Sequence, residues 1–350
     1  MTAGANMSGS ARTVAVLGAG SWGTTFAKIL ADAADAAGVQ RDIRLWGRRS
    51  EVVGQINSLH RNVQYLKDIA LPPSITASTD VRDVLRGADL VVLAVPAQSL
   101  RPQLREWKGL IAPGAIVVSL MKGLELETDA RMSEVISEEL DLPAGRIAVV
   151  SGPNLAMEIA REEPTASVVA CEDSAVAGWL ARSCTAPYFR PYTTSDVVGV
   201  EIGGIVKNVI ALAVGICEGK QMGDNTKASV ITRGLAETSR LALALGGEAK
   251  TMAGLAGLGD LVATCSSPLS RNHTAGRLLG QGLTLDEVGL KMTQTAEGIK
   301  SGQAVHQLAG KLGVEMPITA AVVAVLAGKL SVDQLGPVLL SRELKPEGDD

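Results

Sequence analysis

Two hydrophobic patterns divide the chain near residue 195. Before that point short apolar runs recur, each closed by a glycine, a proline or a polar turn: Thr13–Leu17, Asp42–Trp46, Asp89–Val95, Ala115–Met121 and Ile147–Val150. These runs predict strands, and the last three read as strands buried on both faces, as in a parallel sheet. Helical stretches lie between them, among them the alanine-rich Thr24–Ala37 and a short helix over 80–87 that Asp80 can cap. Two more runs, Ala166–Cys171 and Pro187–Tyr192, flank a helix at Ser174–Cys184 and are expected to extend the same sheet. This alternation predicts a Rossmann-type, doubly wound α/β domain over 12–195. From residue 196 strand signals stop. Periodicity there predicts helices at Asp196–Cys217, Asn225–Leu245, Arg271–Gly280, Gln294–Leu312 and Thr319–Ala327, an all-α domain over 196–345 with glycines and Pro317 as punctuation between them.

Chemistry-bearing residues fall at the carboxyl ends of the predicted strands, where ligands of such sheets gather. The first strand runs into Gly18-Ala-Gly20-Ser-Trp-Gly23 and then a helix. In that context Gly18 permits a tight turn, Gly20 lets a pyrophosphate approach the backbone, and Gly23 lets helix and strand pack closely. Free N–H groups at the helix start face the phosphates. The second strand ends in Gly47-Arg48-Arg49, with no acidic residue for the adenosine ribose of NAD. Paired arginines suit the 2′-phosphate of NADP; a solvated basic corner is the other reading. The stretch Ala31–Arg41 before that strand looks longer than a minimal connection. Pro96, Lys122 and Gly152 close the later strands, and Lys122 at such an end is expected to face cofactor and substrate.

In the second half, Val200–Ile216 is apolar, small or amide-bearing apart from Glu201 and Lys207. On a helix the neighbours of Lys207 are Gly203, Gly204 and Ala211, expected to leave a hollow beside its ammonium. Burial there lowers a lysine pKa and makes a proton carrier near neutral pH; a lysine snorkelling to the surface is the alternative. Gly257-Leu-Gly-Asp260 puts a carboxylate on a glycine-flanked turn, with Thr264 one helical turn on, although a helix cap would use the same aspartate. Ser270-Arg271-Asn272 opens a helix and makes an anion seat, or a surface charge.

Composition narrows the classes. The 350 residues are 46% apolar and 20% charged with a net charge of −4, enough for two domains and without the basic surplus of a nucleic-acid binder. Cys171, Cys184, Cys217 and Cys265 are widely spaced and not clustered with the three histidines, so no metal site is expected and the thiols read as reduced, in a cytoplasmic protein. The N-terminal dozen residues read as a tail without a signal peptide, with Met7 an alternative start to Met1. No run is expected to reach the uninterrupted apolar length of a membrane helix.

Taken together, VAVLGAGSWGT, VVLAVP, MKGLE, SGPNLAMEI, EIGGIVKNVIALAVGI, GLAGLGDLVATC, SRNHTAGRLLGQG and TAEGI stand in the order seen in one family. The chain resembles the bacterial NAD(P)-dependent glycerol-3-phosphate dehydrogenases along nearly its whole length. The resemblance implies reduction of dihydroxyacetone phosphate to sn-glycerol 3-phosphate for phospholipid synthesis, NADP or NAD as cofactor with NADPH preferred, and a homodimer. It implies Lys207 as general acid/base, assisted by Asp260 and Lys122. Lys122, Gly152, Asn154, Lys207, Asp260, Thr264, Ser270, Arg271 and Asn272 are the implied substrate contacts. Gly18, Gly20, Ser21, Trp22, Gly23, Arg48, Arg49, Pro96, Lys122, Ala156, Arg271, Thr295 and Glu297 are the implied cofactor contacts. His273-Thr274 departs from the basic residues that often follow the SRN motif, a change that could alter phosphate affinity. Two rival readings are a related dehydrogenase of an unphosphorylated hydroxy or keto acid, and a nicotinamide-nucleotide sensor without turnover.

Overall fold

The computed structural model describes residues 11–292 and 296–341. They form two compact units, residues 11–121 with 131–197, and residues 122–130 with 198–341. The segment 122–130, which a boundary at 195 leaves with the first domain, groups with the second unit. Leu124 is buried in the second core, and Lys311 bonds Asp129 at 2.6 Å.

The first unit holds an eight-stranded sheet: β1 (Thr13–Leu17), β2 (Asp42–Trp46), β3 (Ile75–Ser78), β4 (Leu90–Leu93), β5 (Ile116–Ser119), β6 (Ile147–Ser151), β7 (Thr165–Ala170) and β8 (Phe189–Thr194). Their order is β3-β2-β1-β4-β5-β6-β7-β8. The first six run parallel, with Val14 opposite both Ile43 and Leu90. The central strands β4, β5 and β6 are buried along their whole length, which is why they read as continuous apolar runs. β7 and β8 extend the sheet as expected, but β7 pairs antiparallel to β6. Residues 152–164 turn the chain back with one five-residue helix, Ala156–Ala160. β3 gave no apolar run because this four-residue edge strand is buried only at Ile75.

The first helix spans Ser21–Ala36 and starts directly on the glycine-rich turn, earlier than the alanine content alone indicated. It also absorbs most of the stretch that looked like a long connection, leaving only residues 37–41 before β2. Phe26, Ile29, Leu30, Ala31 and Ala33 are buried and hold the helix on the sheet.

The second unit is helical, built around Val197–Gly219. An 18-residue window of this 23-residue helix has mean hydropathy 1.9, enough by length and composition alone to pass for a membrane span, although Glu201 and Lys207 interrupt its apolar run as the sequence indicates. Its most apolar window is 94% buried inside the protein, which is how a core helix acquires the same composition. Ile205, Val209, Leu212 and Ile216 join Leu241, Leu261, Leu279, Val305 and Val322 in one core. Helices Asp224–Ala244, Asp260–Ser266, Arg271–Gly280, Glu297–Leu312, Pro317–Leu326 and Val332–Leu340 supply most of the rest, with Met252 and Val288 added by the short helices Ala249–Met252 and Leu285–Lys291. Pro317 marks the break between two helices and opens the second, two residues before its predicted start, since the first helical residue needs no N–H partner. The buried Glu237 carboxylate accepts from the Thr319 N–H at 3.1 Å and so caps that helix from a distance.

Glycine sets how closely the Arg271–Gly280 helix approaches the long one. A Cβ at Gly215 would lie 2.1 Å from the His273 carbonyl oxygen, and one at Gly276 would lie 2.1 Å from that of Leu212. Gly219 and Gly280 repeat the arrangement one turn on. Backbone therefore packs on backbone, as small residues spaced by four allow.

Candidate active site

Lys207 projects from the middle of the long helix and is 7% exposed. Its Nζ donates to Asp260 Oδ1 and, at 2.7 Å, to Thr264 Oγ1. Lys122 Nζ donates to the other carboxylate oxygen of Asp260 at 2.6 Å. Asp260, 1% exposed, thus bridges two ammonium groups. Burial drives the Lys207 pKa down to about 8; the Asp260 charge opposes that fall and Lys122 adds to it. An ammonium in this setting is held in place yet releases its proton near neutral pH.

The residues around Lys207 explain how the carboxylate arrives. Gly203 borders no hollow: a Cβ there would sit 2.5 Å from the Ala256 carbonyl oxygen. The small residue admits the π-helical turn Leu255–Gly259, and that turn delivers Asp260 as the first residue of the helix Asp260–Ser266. The expectation of empty space is corrected by that packing. Thr264 lies one turn further on the same face, its Oγ1 3.3 Å from Asp260 Oδ1.

Ser270 caps the helix Arg271–Gly280, its Oγ accepting from the His273 N–H at 3.2 Å. Asn272 donates to Asn208 Oδ1 at 2.9 Å and accepts from the Gly298 N–H at 2.9 Å, so its amide locks three helices together. Glu297 opens the third of them. Burial raises its pKa, while Arg271, Lys122 and Lys207 pull it down, so these four charges share one field. His273 is 4% exposed with Nε2 2.9 Å from Glu218 Oε2, and its carbonyl packs on Gly215. It is a core residue at the helix crossing. Thr295 lies outside the described residues.

The first unit carries a second set of candidates. Gly18 has φ +131°, and a Cβ on it would meet the Ala94 carbonyl oxygen at 2.3 Å. A Cβ on Gly23 would sit 2.0 Å from the Gly18 carbonyl oxygen, whereas one on Gly20 meets nothing within 4 Å. Two glycines are thus filled by the protein and one faces open space at the start of a helix with no side-chain cap. Gly18 N–H donates to the Trp46 carbonyl at 3.1 Å, which sets Gly47-Arg48-Arg49 beside this turn. Arg48 is exposed; Arg49 donates to Tyr65 Oη at 2.7 Å with its guanidinium over the Tyr65 ring. Ser21 Oγ lies 3.4 Å from the Tyr65 carbonyl oxygen, and Trp22 Nε1 is buried with no hydrogen-bond partner. Pro96 follows β4. Gly152, at φ +137°, turns the chain after β6, and both amide atoms of Asn154 are buried with no hydrogen-bond partner. Ala156 starts the next helix and accepts from Thr25 Oγ1 at 3.2 Å.

Comparison with known proteins agrees with these features. The sequence profile of the NAD-dependent glycerol-3-phosphate dehydrogenase N-terminus matches residues 13–177, and that of its C-terminus matches residues 196–336. The chain belongs to this family. A glycerol-3-phosphate dehydrogenase (NAD(P)+) of Thermobifida fusca is 58% identical over 334 residues, covering 95% of this chain and 98% of the relative. The Streptomyces griseus enzyme of the same name is 56% identical over 333 residues, covering 95% and 97%. The crystal structure of glycerol-3-phosphate dehydrogenase from Coxiella burnetii superposes with a TM-score of 0.88 at 36% identity, covering 95% of this chain and 99% of that one. The family's dinucleotide cofactor, NAD or NADP, fits the first unit: Gly20 leaves the approach to a helix N-terminus open, and the Arg48–Arg49 pair stands beside it.

Sequence reading missed Asn62, Tyr65 and Asn208. Asn208 was visible as an amide inside an apolar helix, a signal of buried hydrogen bonding. Asn62 and Tyr65 lie in a polar stretch without periodicity, and only the fold places them against the glycine-rich turn.

Proposed function

We propose that Lys207 is the proton donor in the NAD(P)H-dependent reduction of dihydroxyacetone phosphate to sn-glycerol 3-phosphate, a product used for glycerophospholipid synthesis. The reading rests on one geometry, the buried Asp260 carboxylate shared by Lys207 and Lys122 with Thr264 beside it. When bound, the reduced nicotinamide supplies the hydride that the ketone carbon accepts. Lys207 gives its proton from Nζ to the developing alkoxide oxygen, and in the reverse direction takes it back from the alcohol. Asp260 keeps that amine in place and limits its loss of charge; burial, with Lys122 adding to it, keeps its pKa low enough for release.

Arg271, as a fork of N–H donors, and Asn272 and Ser270 at the same helix start, hold the substrate phosphate and fix the reacting geometry. Lys122, Thr264, Gly152 and Asn154 complete the substrate contacts, and the unpartnered amide of Asn154 supports its place among them. Gly18, Gly20, Ser21, Trp22, Gly23, Pro96, Ala156 and Glu297 contact the cofactor, joined by Lys122 and Arg271. Arg48 and Arg49 favour NADPH over NADH through the 2′-phosphate. The working form is a homodimer in the cytoplasm; four free, buried cysteines support a reducing compartment.

The test is the decay of NADPH absorbance with dihydroxyacetone phosphate set against a panel of unphosphorylated keto acids. Turnover confined to the phosphorylated ketone is expected. Preference for a keto acid, or tight NADPH binding without turnover of any substrate, would overturn the reading.

A further inference from the structure

Asn62 is fully buried, far in sequence from the glycine-rich turn, and outside every motif discussed so far. Both hydrogens of its side-chain amide are engaged with that turn: Nδ2 donates to the Ala19 carbonyl at 3.0 Å and to Thr24 Oγ1 at 2.9 Å. Its Oδ1 is buried with no hydrogen-bond partner. A side chain kept only for packing would not carry the cost of an unsatisfied amide oxygen, so the donor side is what the position requires. The segment that carries Asn62 is itself fixed. Leu66 is fully buried, Leu71 N–H donates to the His60 carbonyl at 2.8 Å, and Arg61 bridges Ala70.

The Ala19 carbonyl belongs to the same peptide unit as the Gly20 N–H, and in a trans peptide the two point in opposite directions. Among the described residues no peptide bond is cis. Holding the Ala19 oxygen against Asn62 therefore turns the Gly20 N–H the other way. The second bond fixes the first helical turn to the same anchor, since Thr24 N–H donates to the Gly20 carbonyl at 3.0 Å. One amide thus sets both the tilt of the peptide inside the glycine-rich turn and the start of the helix that follows.

We propose that Asn62 is a positioning residue for the cofactor pyrophosphate: it aims the Gly20 N–H and the first-turn N–H groups at the anion without touching it. The proposal rests on the cofactor reading given above. It differs from the role of Arg48 and Arg49, which distinguish the two cofactors; an error in aiming at the pyrophosphate weakens both alike.

The experiment titrates NADH, NADPH, ADP-ribose and adenosine onto wild type, Asn62→Ala and Asn62→Asp, read by fluorescence, with steady-state kinetics alongside. Asn62→Ala is expected to raise the dissociation constants of NADH, NADPH and ADP-ribose by about tenfold each, the worth of one well-placed hydrogen-bonding group. Adenosine, which lacks the pyrophosphate, should bind as before. At saturating cofactor, kcat and the KM for dihydroxyacetone phosphate should stay at the wild-type values, whereas a general loss of folded protein would lower kcat. Asn62→Asp keeps the shape but loses both donors, and is expected to lose at least as much affinity; it decides the matter should the alanine variant not fold. Unchanged binding of ADP-ribose, or an equal loss for adenosine, overturns the proposal while leaving the cofactor reading intact. Absence of NADH and NADPH binding to the wild type would overturn both.

Discussion

Glycine serves opposite purposes in the two units. In the first, Gly18 and Gly23 are filled by neighbouring backbone while Gly20 faces open space. In the second, Gly203, Gly215, Gly219, Gly276 and Gly280 all have a neighbour's backbone where a Cβ would sit. The first cluster leaves one gap for a ligand; the second closes the gaps so that charged residues can be held at fixed distances. A glycine beside a functional lysine is therefore no sign of a cavity. Gly203 is small so that the Asp260 turn can come in, and the lysine is tuned by what fills the space.

The largest effect should come from the residue that this packing holds. Lys207→Ala is expected to lower kcat by about 10²- to 10⁴-fold, the range for a general acid, with NADPH still binding in a fluorescence titration. Near-normal turnover would separate the buried charge cluster from the chemistry. The glycine contrast is broken directly by a pair of alanine substitutions. Gly276→Ala drives a Cβ into the Leu212 backbone and should cost about 1–3 kcal/mol in a denaturant titration, the usual range for overpacking. Gly20→Ala adds a Cβ where nothing lies, so stability should hold within about 0.5 kcal/mol while NADPH affinity falls. Equal loss of stability in both would erase the distinction.

Smaller effects sharpen it. Arg271→Ala should raise the KM for dihydroxyacetone phosphate by about ten- to a hundredfold, the worth of a charge-assisted hydrogen bond, with a much smaller change in kcat. An unchanged KM would remove Arg271 from the phosphate seat. Arg49→Ala should weaken NADPH by about tenfold and NADH little, measured as the ratio of the two dissociation constants; an unchanged ratio would return Arg49 to the Tyr65 stack alone.

Much of this was legible in the sequence where a local signal matched a local cause. β1 and β2 coincide with their predicted bounds: β1 is an apolar run buried on both faces, and β2 alternates, burying Ile43 and Leu45 while Asp42 is exposed. The glycine-rich turn, Lys207, Asp260 and Thr264 announced themselves by spacing along one element. Long-range pairings did not. Nothing in Lys122 alone tells that it reaches Asp260, 138 residues away, nor that its segment belongs with the helical unit. Asn62 and the helix crossing at His273 were illegible for the same reason, since their partners lie far away in the sequence.

The account turns on Asp260 holding up the pKa of a lysine that burial, and to a lesser degree Lys122, pushes down. The most direct test is the pH dependence of kcat for ketone reduction in wild type and in the residual activity of Asp260→Asn. Reduction needs the protonated amine, so the wild-type rate should be level at low pH and fall as pH rises through about 8. Removing the carboxylate charge takes away the influence that raises the Lys207 pKa, so the falling limb should move to lower pH. A limb that stays in place, or moves to higher pH, would contradict the assignment of the proton to Lys207.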